Sequence, residues 1–111
     1  MDAASEISAA VIAIHWTAYG QHLSSVETVV GNGCVACVLR FEVTRAEHAV
    51  IQAGDGAAVG RLYDATELSL EPSLRAAIER TTGRSVLAFQ ASMNPEHGLI
   101  LEAFVLVPSA D

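Results

Sequence analysis

The chain has no lysine, and its basic side chains are six arginines against thirteen acidic residues, giving a net charge of -7 over 111 residues. Nucleic-acid affinity comes largely from clustered Lys and Arg that displace counterions from phosphates, so no nucleic-acid partner is expected. The same balance disfavours an anionic membrane surface. Long hydrophobic runs are missing too. Although 51% of the residues are hydrophobic, no stretch reaches the roughly 18 uninterrupted apolar residues of a membrane span. His15 interrupts the first apolar segment and Glu102 the last, so direct membrane insertion is not expected. The opening Met1-Asp2-Ala3-Ala4-Ser5-Glu6 lacks the basic region of a secretory or transit peptide, which makes the cytoplasm the expected compartment.

Cysteine is scarce as well. Cys34 and Cys37 have the CxxC spacing of a redox pair or half a zinc site, but they lie in Cys34-Val35-Ala36-Cys37-Val38-Leu39, which reads as strand. An offset of three points the two side chains to opposite faces. It also separates their Cα atoms by about 10 Å, beyond the roughly 7 Å reach of a disulfide. Both are expected to be buried structural thiols, with neither bridge nor metal.

What is present organises into one domain, 1–111, with a core of about 6–107. Asp2 or Ser5 can cap a first helix whose stripe runs Ile7, Val11, Ile14 and Ala18, widened by Ile12, Trp16 and Tyr19, and which ends at Gly20. Gln21 to Ser24 reads as loop, Val26 to Val30 as strand, Gly31-Asn32-Gly33 as a turn using positive-φ residues, and Cys34 to Phe41 as the returning strand. Thr44-Arg45-Ala46-Glu47 is a capping box: the Thr44 hydroxyl can accept from the Glu47 amide while the Glu47 carboxylate reaches back to the Thr44 amide. That helix stops at Gly54-Asp55-Gly56. Ala57 to Thr82 is helical in character, with Val59, Leu62, Leu70, Leu74 and Ile78 near one stripe, and Pro72 predicts a kink or a break near Ser69 to Pro72. Thr82-Gly83-Arg84 is the stop, with Gly83 in the left-handed conformation that closes a helix. A second hairpin follows, Ser85 to Ser92 and Leu99 to Val107 around Asn94-Pro95-Glu96-His97-Gly98.

The order α-β-β-α-α-β-β predicts an α+β fold, a four-stranded antiparallel sheet from two hairpins with helices packed on it. A sheet wet on one side should alternate apolar and polar residues. Cys34 to Leu39, Leu99 to Leu101 and Ala103 to Val107 are nearly continuous apolar runs instead, so both faces are expected to be covered, one of them in a homodimer.

Candidate chemistry is sparse. His15, His22, His48 and His97 form no ligand spacing, and no metal, cofactor or catalytic residue is expected from them. Adjacent helical residues diverge, so Glu47 and His48 are no acid/base pair. The Gly-rich Gly54 to Gly60 follows no strand and lacks both GxGxxG and a P-loop lysine. Arg61 could pair with Glu47, Glu67 or an anion, and with Arg84 it forms the candidate ligand-binding pair of an anion- or small-ligand-sensing domain.

Thr44-x-x-Glu47 after a strand ending Val38-Leu39-Arg40, then Gly54-Asp55-Gly56, Arg61 on a helix, Ile78 to Val86 with Thr82-Gly83-Arg84, and a final Phe104-Val105-Leu106 together resemble the MpsC-type domain family. The resemblance spans roughly residues 6 to 107. The family's usual Gly-basic-Gly-Pro after the first helix is here Gly20-Gln21-His22-Leu23-Ser24. The family is named for a sodium-translocating, membrane-potential-generating system. The resemblance implies a non-enzymatic accessory or regulatory module acting through protein contacts, with a possible partner in a membrane or bicarbonate-linked system.

Overall fold

A computed structural model describes residues 2–109; Met1, Ala110 and Asp111, the ends of the expected 1–111 domain, lie outside the described residues. Helix α1 (Ala3–Tyr19) starts at Asp2, whose side chain accepts from the Ser5 amide at 2.7 Å. A 3-10 turn, Gly20–His22, then leads directly into β1 (Leu23–Val30), so the strand begins three residues before the expected Val26. β2 (Cys34–Phe41), α2 (Arg45–Gln52), α3 (Gly56–Thr82), β3 (Val86–Asn94) and β4 (Leu99–Leu106) follow, with a 3-10 turn Pro95–His97 in the last hairpin. The fold is α+β, three helices and a four-stranded antiparallel sheet in the order β1-β2-β4-β3.

The start and stop signals act as the sequence indicates. Thr44 Oγ1 accepts from the Glu47 amide at 3.1 Å and Glu47 Oε1 accepts from the Thr44 amide at 2.8 Å. Gly83 closes α3 at φ 70°, donating to the Glu79 carbonyl. The Gly31-Asn32-Gly33 turn differs from expectation: none of the three has positive φ, and the loop is held by the Gly31 amide on the Cys34 carbonyl at 2.8 Å. Pro72 neither breaks α3 nor divides it. The carbonyl it leaves without a helical partner belongs to Leu68, which is 72% exposed, so water can satisfy it.

All three helices leave one sheet face bare. Along β4, Ile100, Glu102, Phe104 and Leu106 are buried while Leu101, Ala103 and Val105 are exposed; along β2 the buried set is Val35, Cys37, Leu39 and Phe41. As the helix content leads one to expect, a single chain covers one sheet face with its own helices and not the other. The helices cover the first set, and the nearly continuous apolar runs conceal a strict alternation of burial. Cys34 is corrected for the same reason: it points to the bare face and is exposed, whereas Cys37 is buried, and both are free thiols.

Candidate functional site

The helix stripes are where the structure departs most from a plain hydrophobic reading. α1 buries Ile7, Val11, His15 and Tyr19, spaced by four, with Ile14 half-buried and Ile12 and Trp16 exposed. α3 buries Val59, Tyr63, Glu67, Leu74, Ala77 and Ile78, while Leu62 is exposed. Both helices therefore carry a polar residue on the core stripe. Beneath them Glu102, mid-strand in β4 between Cys37 of β2 and Ala91 of β3, faces the same space. His15, Glu67 and Glu102 meet there with no more than 1% of each exposed.

His15 Nε2 lies 3.0 Å from Glu67 Oε2 and 2.8 Å from Glu102 Oε2. One N–H can be aimed along only one of these directions. It aligns with Glu67, and Glu102 Oε2, although close, accepts no aligned hydrogen bond. Tyr19 donates to Glu67 Oε2 at 3.2 Å, and its ring stacks on His15 and Tyr63 at centroid distances of 5.7 and 5.4 Å. Tyr63 in turn donates to Glu47 Oε1 at 2.9 Å, so the α2 capping box and the buried cluster are joined through stacked rings.

The environment sets the protonation. Burial penalises a charged His15, but the closeness of the Glu102 and Glu67 carboxyl groups outweighs it and holds the imidazole up at about 10. Burial, reinforced by Glu67, pushes Glu102 up to about 8 against the pull of His15. Glu67 moves the other way, below its ordinary range, because bonds from His15, Glu102 and Tyr19 overcome its burial. At neutral pH the metal-free cluster is thus an imidazolium, one carboxylate and one neutral carboxylic acid, with no net charge. Burial also raises the Tyr19 and Tyr63 hydroxyls, and pushes the Cys37 thiol up to about 11.

The histidines do not converge on one another: His22 follows α1, His48 lies on α2 and His97 in the last hairpin. His15 instead converges with two glutamates far away in sequence, which local spacing could not reveal. A signal was nevertheless present. His15 and Glu67 each stand where the stripe calls for an apolar side chain, and Glu102 sits in register with Ile100, Phe104 and Leu106. Glu67 and Glu47 are committed to these contacts and not to Arg61. Arg61, exposed near the start of α3, and Arg84, beyond its end, are separated by a helix spanning about 30 Å at roughly 1.5 Å per residue. They do not form one pocket. The Arg84 guanidinium donates to the Val107 carbonyl at 2.9 and 3.1 Å and to the carbonyl of Asn32, tying the α3 exit to the sheet end. Thr82 supports the same corner, its hydroxyl donating to the Ile78 carbonyl at 2.7 Å.

The second feature is the bare sheet face. Val29, Val38, Leu101 and Val105 lie on it across three adjacent strands, with Cys34, Ala36 and Ala103 between them and Ala88 of β3 beside Val105; Glu27, Arg40, Gln90 and Ser92 form its polar margin. Leu101 is 49% and Val29 62% exposed. No helix among the described residues is long and apolar enough to cross a membrane.

No curated protein and no solved structure matches the chain. The model of the family described as Na+-translocating membrane potential-generating system (MpsC) matches residues 2–107. Covering nearly the whole chain, that match takes in both helix stripes, the capping box, the Gly83 stop and all four strands, and the chain belongs to the MpsC family.

Proposed function

We propose that this chain is a non-enzymatic accessory module of the MpsC family that acts in the cytoplasm as a homo-oligomer, docking through the helix-free face of its sheet. The observation that carries this reading is the apolar character of that face: Val29, Val38, Leu101 and Val105 are contiguous across β1, β2 and β4. Exposed patches of this kind in soluble domains mark protein contacts, and a twofold pairing of two such faces would bury each against the other. The His15, Glu67 and Glu102 cluster, whose protonation is strongly perturbed, lies sealed under α1 and α3, out of reach of a bulk substrate, which favours an interaction role over turnover. Paired modules would then serve a membrane-bound partner through protein contacts, since none of the described helices can span a bilayer.

Light scattering on the purified chain tests this. A mass of at least twice 11.7 kDa at tens of micromolar is expected; a monomer would overturn the reading. Anions and nucleotides are expected to leave the melting temperature unchanged. A large shift with an anion that is lost in Arg61→Gln would transfer the function to ligand sensing.

A further inference from the structure

Three buried acceptor oxygens in the cluster have no hydrogen-bond donor: Glu67 Oε1 and both carboxylate oxygens of Glu102. Among the described residues the ion pairs are those of His15 with the two glutamates and Arg75 with Glu71, so no arginine reaches the cluster. Buried carboxylates are normally paired, protonated or bound to metal, because an uncompensated charge away from water is expensive.

The imidazole is already oriented for the last of these. His15 Nδ1 lies 2.8 Å from the Val11 carbonyl, which can only accept, so Nδ1 carries a hydrogen and Nε2 is the atom turned toward both glutamates. An N–H held by a backbone carbonyl, with the opposite nitrogen able to ligate once its own proton leaves, is the usual support of a metal-bound histidine. The donor spacing agrees. Two ligands with bonds of about 2.1 Å stand about 3 Å apart at the right angle of an octahedral ion and about 3.4 Å apart at the tetrahedral angle of zinc; Nε2 stands 3.0 and 2.8 Å from the two carboxylate oxygens, so an octahedral ion fits as they stand and a tetrahedral one needs each to move by about half an ångström. All three donor atoms lie within 4.8 Å of one another. Tyr19 braces Glu67 from outside, as the partners of ligating carboxylates do. An open surface depression between Asp64, Glu71 and Phe89 borders the buried Glu67, and its acidic rim suits a cation.

We propose that His15 Nε2, Glu67 and Glu102 form a binding site for one first-row divalent metal ion of the Zn2+ or Mn2+ class. One imidazole and two carboxylates without thiolate select these ions over soft metals, and the imidazole nitrogen selects them over Ca2+ and Mg2+, which favour all-oxygen shells. Binding the ion would release the Nε2 proton of His15 and the carboxyl proton of Glu102 to solvent, leaving a divalent charge to balance two carboxylates beside a neutral imidazole. The ion would clamp α1, α3 and β4 together, a structural role independent of docking through the opposite sheet face.

The test uses the full chain, unfolded, stripped with a chelator, and refolded with Zn2+ or Mn2+, because a closed site loads slowly. Elemental analysis after dialysis should give one ion per chain for at least one of the two metals. The melting temperature should rise by about 10 °C or more at a hundredfold excess over Kd, with no rise in Mg2+ or Ca2+. Glu102→Gln keeps the shape of the neutral acid and so should preserve the metal-free fold by circular dichroism, yet lose the ion and the thermal shift; Glu67→Gln provides the same readout at a second ligand. Replacing His22, His48 and His97 together by Gln should leave the ion bound. No ion retained by the refolded wild-type chain, undiminished binding in both Gln variants, or loss of the ion in the three-histidine variant would each overturn the proposal.

Discussion

Leu101→Asp separates the bare sheet face from the core more sharply than any other single change. Leu101 pairs with Val38 of β2 and Ser92 of β3, at the middle of the open face, and is 49% exposed in the single chain. In the monomer an aspartate there remains partly hydrated and should cost about 1 kcal/mol or less. In a twofold assembly the leucine's exposed half, on the order of 80 Å², contributes about 2 kcal/mol by burial. Both copies carry the change, so the loss doubles to about 4 kcal/mol before any penalty for desolvating the carboxylates, a weakening of Kd by roughly a thousandfold. Ile100→Asp is the counterpart: Ile100, next to Leu101 in sequence, is 0% exposed and points under the helices. An unpaired carboxylate at Ile100 should unfold the monomer, since it costs several kcal/mol out of a total stability of about 5–15 kcal/mol. Light scattering over a dilution series, alongside thermal denaturation, measures both effects. An assembly unchanged by Leu101→Asp in a folded protein would refute the assignment of the interface to this face.

The metal-free protein should lose stability as the solution becomes alkaline, because folding raises the pKa of His15 from 6.5 to about 10 and that of Glu102 from 4.5 to about 8. Each contribution is complete below the unfolded value and disappears as pH rises through the folded one; a flat profile of melting temperature from pH 6 to 10 would contradict it. Gly98→Ala should destabilise more than Gly83→Ala in urea titrations: a Cβ at Gly98 would meet the Phe41 carbonyl oxygen at 2.2 Å, whereas at Gly83 it meets nothing within 4 Å and the cost is the left-handed φ, about 1 kcal/mol. In the folded monomeric Leu101→Asp variant a thiol reagent should modify one cysteine, and two in denaturant, since Cys34 is exposed in the single chain and Cys37 buried; mass spectrometry identifies the modified residue.

Much of what depends on neighbours along the chain was legible in the sequence, although the Gly31-Asn32-Gly33 turn forms without the positive φ expected of it. The Thr44 to Glu47 capping box, the Gly83 stop, the α-β-β-α-α-β-β order and the opposite orientation of the cysteines are decided by hydrogen bonds and steric limits spanning a few residues. The resemblance to the MpsC family was legible for the same reason, being carried by these blocks. Pro72 was a limit even at this level, because whether a proline breaks a helix depends on how its surroundings accommodate the orphaned carbonyl, and Leu68, which carries it, is exposed.

Only the tertiary structure decided which sheet face the helices cover and which residues share the core. An apolar run such as Ala103 to Val107 looks alike from both sides until helices are laid on one of them. His15, Glu67 and Glu102 are separated by 52 residues in one pair and belong to two helices and a strand, so no local spacing records their meeting. In sequence each is a polar interruption of an apolar pattern; in space α1 and α3 cross the sheet over Glu102, and three interruptions become one buried cluster. The physical reason is that burial and partner choice are set by packing between elements, whereas helix and strand formation is set largely within them.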